Sequence, residues 1–296
     1  MLPATTRALG PRIDVHVHRT DYWPKQPNAL YRADLVNSVE SLLHEMDDHG
    51  VGYALSIPYA FVPSQEAAIQ EDREQLVQSH GRLQPVGSTS PTLGEESVAQ
   101  AIALWEKVPE LVALKLFPGY FPFYPHDRRL DPFYEFAHRR NLPVLLHQGD
   151  TLAPDGLVKY ARPIEVDEVA VRYRDVRFVL CHLGNPWISE TAEIVYKNSN
   201  VYTDTSGLLG HPSLRYFGAM FDQTQRELER LLLTVGDGHR VLFGSDWPLV
   251  SLELSVRLVA GLPIAEDEKE RILGGNAREL FRLPALEGSS ADRSPA

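Results

Sequence analysis

Two imidazoles stand one residue apart at the end of a short apolar run, Ile13-Asp-Val-His-Val-His18. Residues two apart on a strand point to the same face, so His16 and His18 aim at one locus while Ile13, Val15 and Val17 form the opposite, apolar face. A strand that buries its apolar side in a wall and turns two histidines the other way is building an interior site, and two convergent imidazoles suggest metal ligation. Three more polar side chains close apolar runs: His147 after Leu-Pro-Val-Leu-Leu, His182 after Phe-Val-Leu-Cys, and Asp246 after Val-Leu-Phe-Gly-Ser. Any one alone reads as a satisfied structural residue. Four runs that end in imidazole or carboxylate read as one site, because buried charge is costly unless it is paired or metal-bound. Imidazole with carboxylate suits a divalent ion, zinc first, with manganese, iron or cobalt as alternatives. Such an ion lowers the pKa of bound water towards 7 and can polarise a substrate carbonyl.

The elements that must position these residues follow from hydrophobic patterning. Eight short apolar, β-branched runs cover 12–18, 53–58, 83–88, 112–117, 143–147, 177–182, 201–205 and 240–244. Longer amphipathic stretches lie between them, at 34–49, 95–107, 131–140, 164–174 and 190–197; in the first, Leu35, Val39, Leu42, Leu43 and Met46 recur at helical spacing. Continuous apolar strands separated by helices imply a parallel sheet buried on both faces. Eight such units predict a single (β/α)8 TIM barrel over residues 1–283, with the metal site at the C-terminal face of its strands. A doubly wound open sheet is the alternative, but it does not need eight units and no glycine-rich first turn is present. Residues 284–296 are small, polar and charged and read as a disordered tail.

Composition narrows the partners. The chain has 296 residues, of which 43% are hydrophobic and 23% charged, the balance of a soluble globular protein. A net charge of −11 leaves no basic surplus for nucleic acid. Cys181 is the one cysteine, so no intrachain disulfide is possible and a reducing cytoplasm is expected. Met1–Gly10 lacks an apolar core, so no signal peptide is read, and no run approaches the length of a membrane span. The expected partner is a small-molecule substrate, with a homodimer left open.

Taken in order, Asp14-Val-His-Val-His18, Ala113-Leu-Lys-Leu-Phe-Pro118, Leu145-Leu-His-Gln-Gly149, Cys181-His-Leu-Gly-Asn-Pro-Trp187, Phe243-Gly-Ser-Asp-Trp-Pro248 and Gly275-Asn-Ala277 resemble the motifs of the amidohydrolase superfamily. Within it they resemble the amidohydrolase-related branch, which includes aminocarboxymuconate semialdehyde decarboxylase, resorcylate decarboxylases and several lactonases. The resemblance runs from the first strand to the last helix. It implies that His16, His18, His147 and Asp246 bind the metal, that Asp246 also handles protons, and that His182 acts as acid or base. Asn276 matches the end motif and is expected to cap the helix Ala277–Phe281.

In two-metal members a carboxylated lysine ends the fourth strand and bridges both ions, with the fifth- and sixth-strand histidines on the second. Lys115, His147 and His182 occupy those places. The branch usually holds one ion, and on that reading Lys115 is an unmodified ammonium that grips a substrate carboxylate or pairs with Asp246. Trp23, Tyr59, Tyr120, Tyr124, Trp187 and Trp247 lie in or near the loops after strands, where they could pack on a planar substrate or simply on each other. Arg19, Arg162 and Arg215 could each hold a carboxylate bidentately. With Lys115, the substrate-binding candidates are thus Trp187, Arg162 and Arg215.

These residues first predict a hydrolase, in which metal-activated hydroxide attacks a small carboxylic ester, lactone or amide while Asp246 and His182 manage protons. Non-oxidative decarboxylation of an aromatic or unsaturated acid is the second reading of the same pocket. A catalytically inactive barrel used as a binding module is the third, and the intact His16, His18, His147, His182 and Asp246 argue against it.

Overall fold

A computed structural model of the chain describes residues 11–18, 38–58, 65–210 and 217–285. Strands rich in Val, Leu, Ile and Ala alternate with helices: β1 Arg12–His18, β2 Val51–Ile57, β3 Leu83–Ser88, β4 Ala113–Leu116, β5 Val144–Leu146, β6 Phe178–Leu180, β7 Val201–Asp204 and β8 Val241–Leu242. They form one eight-stranded sheet in chain order, every pair parallel. The ring closes where β1 meets β8: Val15 N–H donates to the Phe243 carbonyl at 3.0 Å, Asp246 N–H to His16 at 2.8 Å and His18 N–H to Trp247 at 2.8 Å. This is the expected TIM barrel. Its core is continuous, because Leu114, Val144, Leu145, Leu146, Val179 and Leu180 are all wholly buried between the barrel interior and the helical ring.

The helices are α1 Val39–Asp48, α2 Gln65–Gln78, α3 Ser97–Trp105, α4 Asp131–Arg140, α5 Val166–Arg172, α6 Ile188–Lys197, α7 Phe217–Val235, α8 Leu252–Ala260, α9 Glu266–Glu270 and α10 Asn276–Phe281. α4 has the expected bounds, with Pro132 in its first turn and a left-handed Asn141 (φ 55°) ending it. The stretch expected as one helix from Ile164 splits into a 3-10 turn, Pro163–Glu165, followed by α5. α1 starts at the Ser38 cap, whose side chain accepts from Ser41 N–H; residues 34–37, most of the loop after β1 and the 286–296 tail lie outside the described residues. Among the described residues no helix is long and apolar enough to cross a membrane.

β1 and β3 run as expected, but three other strands end early, two of them short of the histidine they were expected to contain. β5 ends at Leu146, β6 at Leu180 and β8 at Leu242. His182 (φ 62°) and Asp246 (φ 69°) adopt left-handed backbone, which a strand cannot continue. The chain thus leaves the ladder at the residues with the chemistry, where strained backbone collects.

Asn276 departs from expectation too. It opens α10 rather than preceding it and makes no capping bond. Its Nδ2 donates instead to the carbonyls of Gly238 (2.7 Å) and Val241 (2.8 Å), tying the last helix to the start of β8. Asn276→Ala leaves both buried carbonyls without this donor and should cost roughly 2–4 kcal/mol. Thermal unfolding checks this; an unchanged melting temperature would show that the tie carries no weight.

Candidate metal and acid–base centre

The site is assembled by the zipper between β1 and the turn after β8. Asp14 shares its face of β1 with His16, and its carboxylate receives Ser245 Oγ (2.5 Å), Ser245 N–H (3.0 Å) and His16 N–H (3.0 Å). Ser245 Oγ in turn accepts Trp247 N–H at 3.0 Å. These bonds grip both neighbours of Asp246 and hold that residue in its left-handed conformation above His16 and His18. Burial pushes the Asp14 carboxyl up to about 7, against the pull of its Ser245 and His16 hydrogen bonds. Gly207 (φ +71°) keeps the floor clear: a Cβ there would lie 2.9 Å from Asp246 Oδ2 and 3.0 Å from His182 Nδ1.

His18 Nε2 lies 3.0 Å and His16 Nε2 3.6 Å from Asp246 Oδ1. These three buried residues offer ligand atoms within 4.8 Å of one another. Burial, followed by the nearby Lys115 ammonium, lowers His16 to about 3, so it is a neutral imidazole at pH 7. Burial alone would push the Asp246 carboxyl up; the contact with His18 and the adjacent His16 and His182 outweigh it and hold the group well below the usual carboxylate range. Among the described residues His16 Nε2 has no hydrogen-bond partner, and it faces Asp246 Oδ1 across 3.6 Å. A lone pair and a carboxylate oxygen left facing each other in a buried site need a cation or a proton between them. Two imidazoles and a carboxylate are a donor set that fits a divalent ion.

His147 stands beside this cluster rather than in it. Its Nε2 is 2.9 Å from the Asp150 carbonyl, which can only accept, so the lone pair left for an ion is that of Nδ1. Its ring packs 4.7 Å from Tyr120 and 5.0 Å from His182. Burial, then His182 and Lys115, lower its pKa well below the ordinary value. The loop that carries it bends sharply at Gly149 (φ +94°), where a Cβ would sit 2.1 Å from the Asn185 carbonyl. His182 lies in a 3-10 turn after β6, half-buried, with Nδ1 2.8 Å from Ser206 Oγ and 3.1 Å from the Ser206 carbonyl. Its ring lies 4.7 Å from that of His16.

Lys115 is wholly buried in β4, deeper than a substrate anchor at the mouth would be. Its ammonium donates to Cys181 Sγ at 3.0 Å and lies 5.0 Å from the Phe117 ring centre. Among the described residues it has no carboxylate within 4 Å, so the expected pairing with Asp246 is not formed. The sulfur is also near another carboxylate, since Cys181 Sγ, His16 and Asp204 fall within 4.8 Å of one another. Burial keeps the Cys181 thiol protonated by raising its pKa well above the ordinary value.

Of the other candidates, Arg162 is held at the surface by Glu190 and lies 5.7 Å over the Trp187 ring. Those two expected substrate contacts therefore engage each other. Arg215, Arg19, Trp23 and Tyr59 fall outside the described residues. Trp247 is not a mouth aromatic: it is wholly buried and its backbone pairs with Val17. Sequence reasoning missed Asp204 and Ser206, which hold both His16 and His182. Asp204 did carry a signal, a carboxylate at the end of the apolar run Val201-Tyr-Thr-Asp204.

The model of the family described as amidohydrolase matches residues 13–283, nearly the whole chain and every residue of this centre. The chain belongs to the amidohydrolase family. Over 201 residues this amidohydrolase is 24% identical to gamma-resorcylate decarboxylase of Polaromonas; the match covers 55% of this chain and 57% of that protein. Its fold is shared with 5-carboxyvanillate decarboxylase of Novosphingobium aromaticivorans, solved with manganese and 4-hydroxy-3-methoxy-5-nitrobenzoic acid: TM-score 0.69, 14% identity, 93% of this chain and 96% of that one. It is shared equally with a probable 2-pyrone-4,6-dicarboxylic acid hydrolase of Acinetobacter baumannii: TM-score 0.67, 17% identity, 92% and 100% coverage. At these identities the two structures establish the fold alone, and chemistry must be argued from the site.

Proposed function

We propose that this amidohydrolase is a divalent-metal-dependent carboxy-lyase that removes CO2 from an aromatic or unsaturated carboxylic acid without redox chemistry. The observation that carries it is the half-buried His182, its Nδ1 engaged by Ser206, beside a cluster suited to a carboxylate-binding cation. The likeness to decarboxylases that act on hydroxylated benzoic acids supports this order of readings. It sets decarboxylation ahead of the ester, lactone or amide hydrolysis that sequence alone favoured. Hydrolysis is the second reading, supported by the likeness to the probable pyrone dicarboxylic acid hydrolase.

His16, His18 and Asp246 would hold the ion, with His147 contributing through Nδ1. A divalent ion there supplies a Lewis acid that neutralises and orients a substrate carboxylate or a neighbouring oxygen. Manganese, present in the 5-carboxyvanillate decarboxylase structure, takes precedence over zinc as the expected ion. His182 Nε2 takes a proton from solvent and delivers it to the carbon that bears the carboxylate. The bond to the carboxylate then breaks, its electron pair restores the unsaturated system, and CO2 departs; each turnover consumes one proton. Asp246 remains ionised, and its negative charge favours the protonated form of His182. Tyr120, packed on His147, offers an aromatic face to a planar acid, and Lys115 contributes positive charge from below rather than a direct grip.

The test is product analysis with Mn2+-loaded protein and three probes: gamma-resorcylate, 5-carboxyvanillate and 2-pyrone-4,6-dicarboxylate. One CO2 released per benzoic acid consumed is the expected result. Opening of the pyrone ring without CO2 release, with both benzoic acids untouched, would move the protein to the hydrolases.

A further inference from the structure

Asp204 ends β7 inside the barrel and is wholly buried. Its Oδ1 accepts three hydrogen bonds: from Ser206 N–H at 3.0 Å, from His182 N–H at 3.0 Å and from the Ser206 hydroxyl at 2.5 Å. Its Oδ2 lies 3.2 Å from His16 Nδ1. Three donors converging on one oxygen, two of them backbone N–H, are the surroundings of an ionised carboxylate.

The hydrogen bonds leave little freedom in where the protons sit. An ionised carboxylate only accepts, so His16 Nδ1 carries its proton and Nε2 its lone pair. Ser206 has one hydroxyl proton and gives it to Asp204. Its oxygen can then only accept, from His182 Nδ1 at 2.8 Å and from His16 Nδ1 at 3.0 Å. The Ser206 carbonyl, 3.1 Å from His182 Nδ1, is an acceptor as well. Both rings are thereby Nδ1–H tautomers. A carboxylate behind a ligating histidine is a general device for fixing tautomer and ring orientation.

We propose that Asp204 is a positioning residue that sets the tautomers of two histidines at once, His16 directly and His182 through Ser206. One buried carboxylate thus presents Nε2 of His16 to the cation and Nε2 of His182 to the travelling proton. The consequences for binding and turnover rest on the ligand and acid–base roles assigned above. The tautomers themselves rest on the hydrogen bonds alone.

The decisive variant is Asp204→Asn, which keeps shape but not acceptor count. Two backbone N–H groups still need the amide oxygen, so the amide nitrogen is turned towards His16. It can only donate there, which forces His16 to accept at Nδ1 and to carry its proton on Nε2, the nitrogen that faces Asp246. Asp204→Ala removes the constraint without imposing the wrong one, because the space left admits water. Mn2+ titrations should therefore show Asp204→Asn about 10–100-fold weaker than wild type, and weaker than Asp204→Ala. A merely structural role predicts the reverse order, with alanine the worse. Nitrogen-15 histidine spectra of the full chain without added ion read the tautomers without any variant. Nδ1–H at both His16 and His182 is expected in wild type, and Nε2–H at His16 in Asp204→Asn. An Nε2–H signal at either histidine in wild type, or wild-type Mn2+ affinity in Asp204→Asn, overturns the proposal. Both tautomers as expected in a protein that releases no CO2 would sink the decarboxylase reading and leave this inference standing.

Discussion

Replacing both His16 and His18 by alanine should leave a folded barrel that takes up no divalent ion at this centre and turns over nothing above background. The argument is one of donor count. His16, His18 and Asp246 form the cluster assigned to the ion, and the double variant leaves it a single carboxylate. Changes behind a ligand alone cost roughly 10–100-fold in metal affinity, so loss of two ligands should exceed that range. Both imidazoles sit on β1, whose ladder with β2 and closing bonds to the β8 turn are made by backbone atoms, so the strand survives the change. Ion content by elemental analysis, with circular dichroism as the control for folding, decides the matter. Undiminished ion content in the double variant would move the metal elsewhere. Full activity in chelated wild type would remove the metal from the reaction.

The barrel was legible in the sequence because its strands are buried on both faces and so read as unbroken apolar runs. β1 and β3 could be bounded to the residue. The strand ends were less legible for a physical reason. His147, His182 and Asp246 follow apolar runs without a break in pattern, yet the strands end before each of them, and no periodicity announces the left-handed backbone of His182 and Asp246. His16, His18 and Asp246 could be brought together because strand parity and strand-end position are both written in the sequence.

Asp204 carried the strand-end signal alone. It lies in Val-Tyr-Thr-Asp-Thr, with no motif around it, and what sets it beside His16 and His182 is register: Leu180 opposite Thr203 on one side, Leu242 opposite Asp204 on the other. Register between strands is a tertiary property. The partner of Arg162 was hidden for the same kind of reason, since the Glu190 that holds it lies 28 residues away. Lys115 was singled out through the resemblance alone, and its depth depends on the layer of the barrel it occupies, level with Ser88 and Leu145. The sulfur that meets it belongs to β6's exit turn. The Lys115 ammonium lies 3.0 Å from the Cys181 sulfur and the Asp204 carboxylate within 4.8 Å of it, so two opposite charges are buried near one another, which reduces the cost of burying both.

His182→Asn should separate ligation from proton transfer, with the ion retained and turnover down by about 10²–10⁴-fold. The range is that of a single general acid or base. The ion should stay because His182 lies outside the three-residue cluster, and because its Nδ1 is already committed to Ser206. Asparagine has no nitrogen that gains and loses a proton near neutral pH, so the carbon that loses CO2 must be protonated from water. Burial lowers the pKa of His182 below the ordinary value, so the neutral ring predominates at pH 7 and any imidazolium formed there is a stronger acid than free histidine. Proton delivery should therefore weaken as pH rises, and the wild-type rate should fall on the alkaline side while the variant's residual rate does not follow it. Mn2+ titration of His182→Asn and its rate against pH, on whichever benzoic acid the wild type consumes, are the two measurements. Loss of the ion together with activity would make His182 a ligand. It would then share a second ion with His147 and demand a carboxylated Lys115, in place of the ammonium that now meets Cys181.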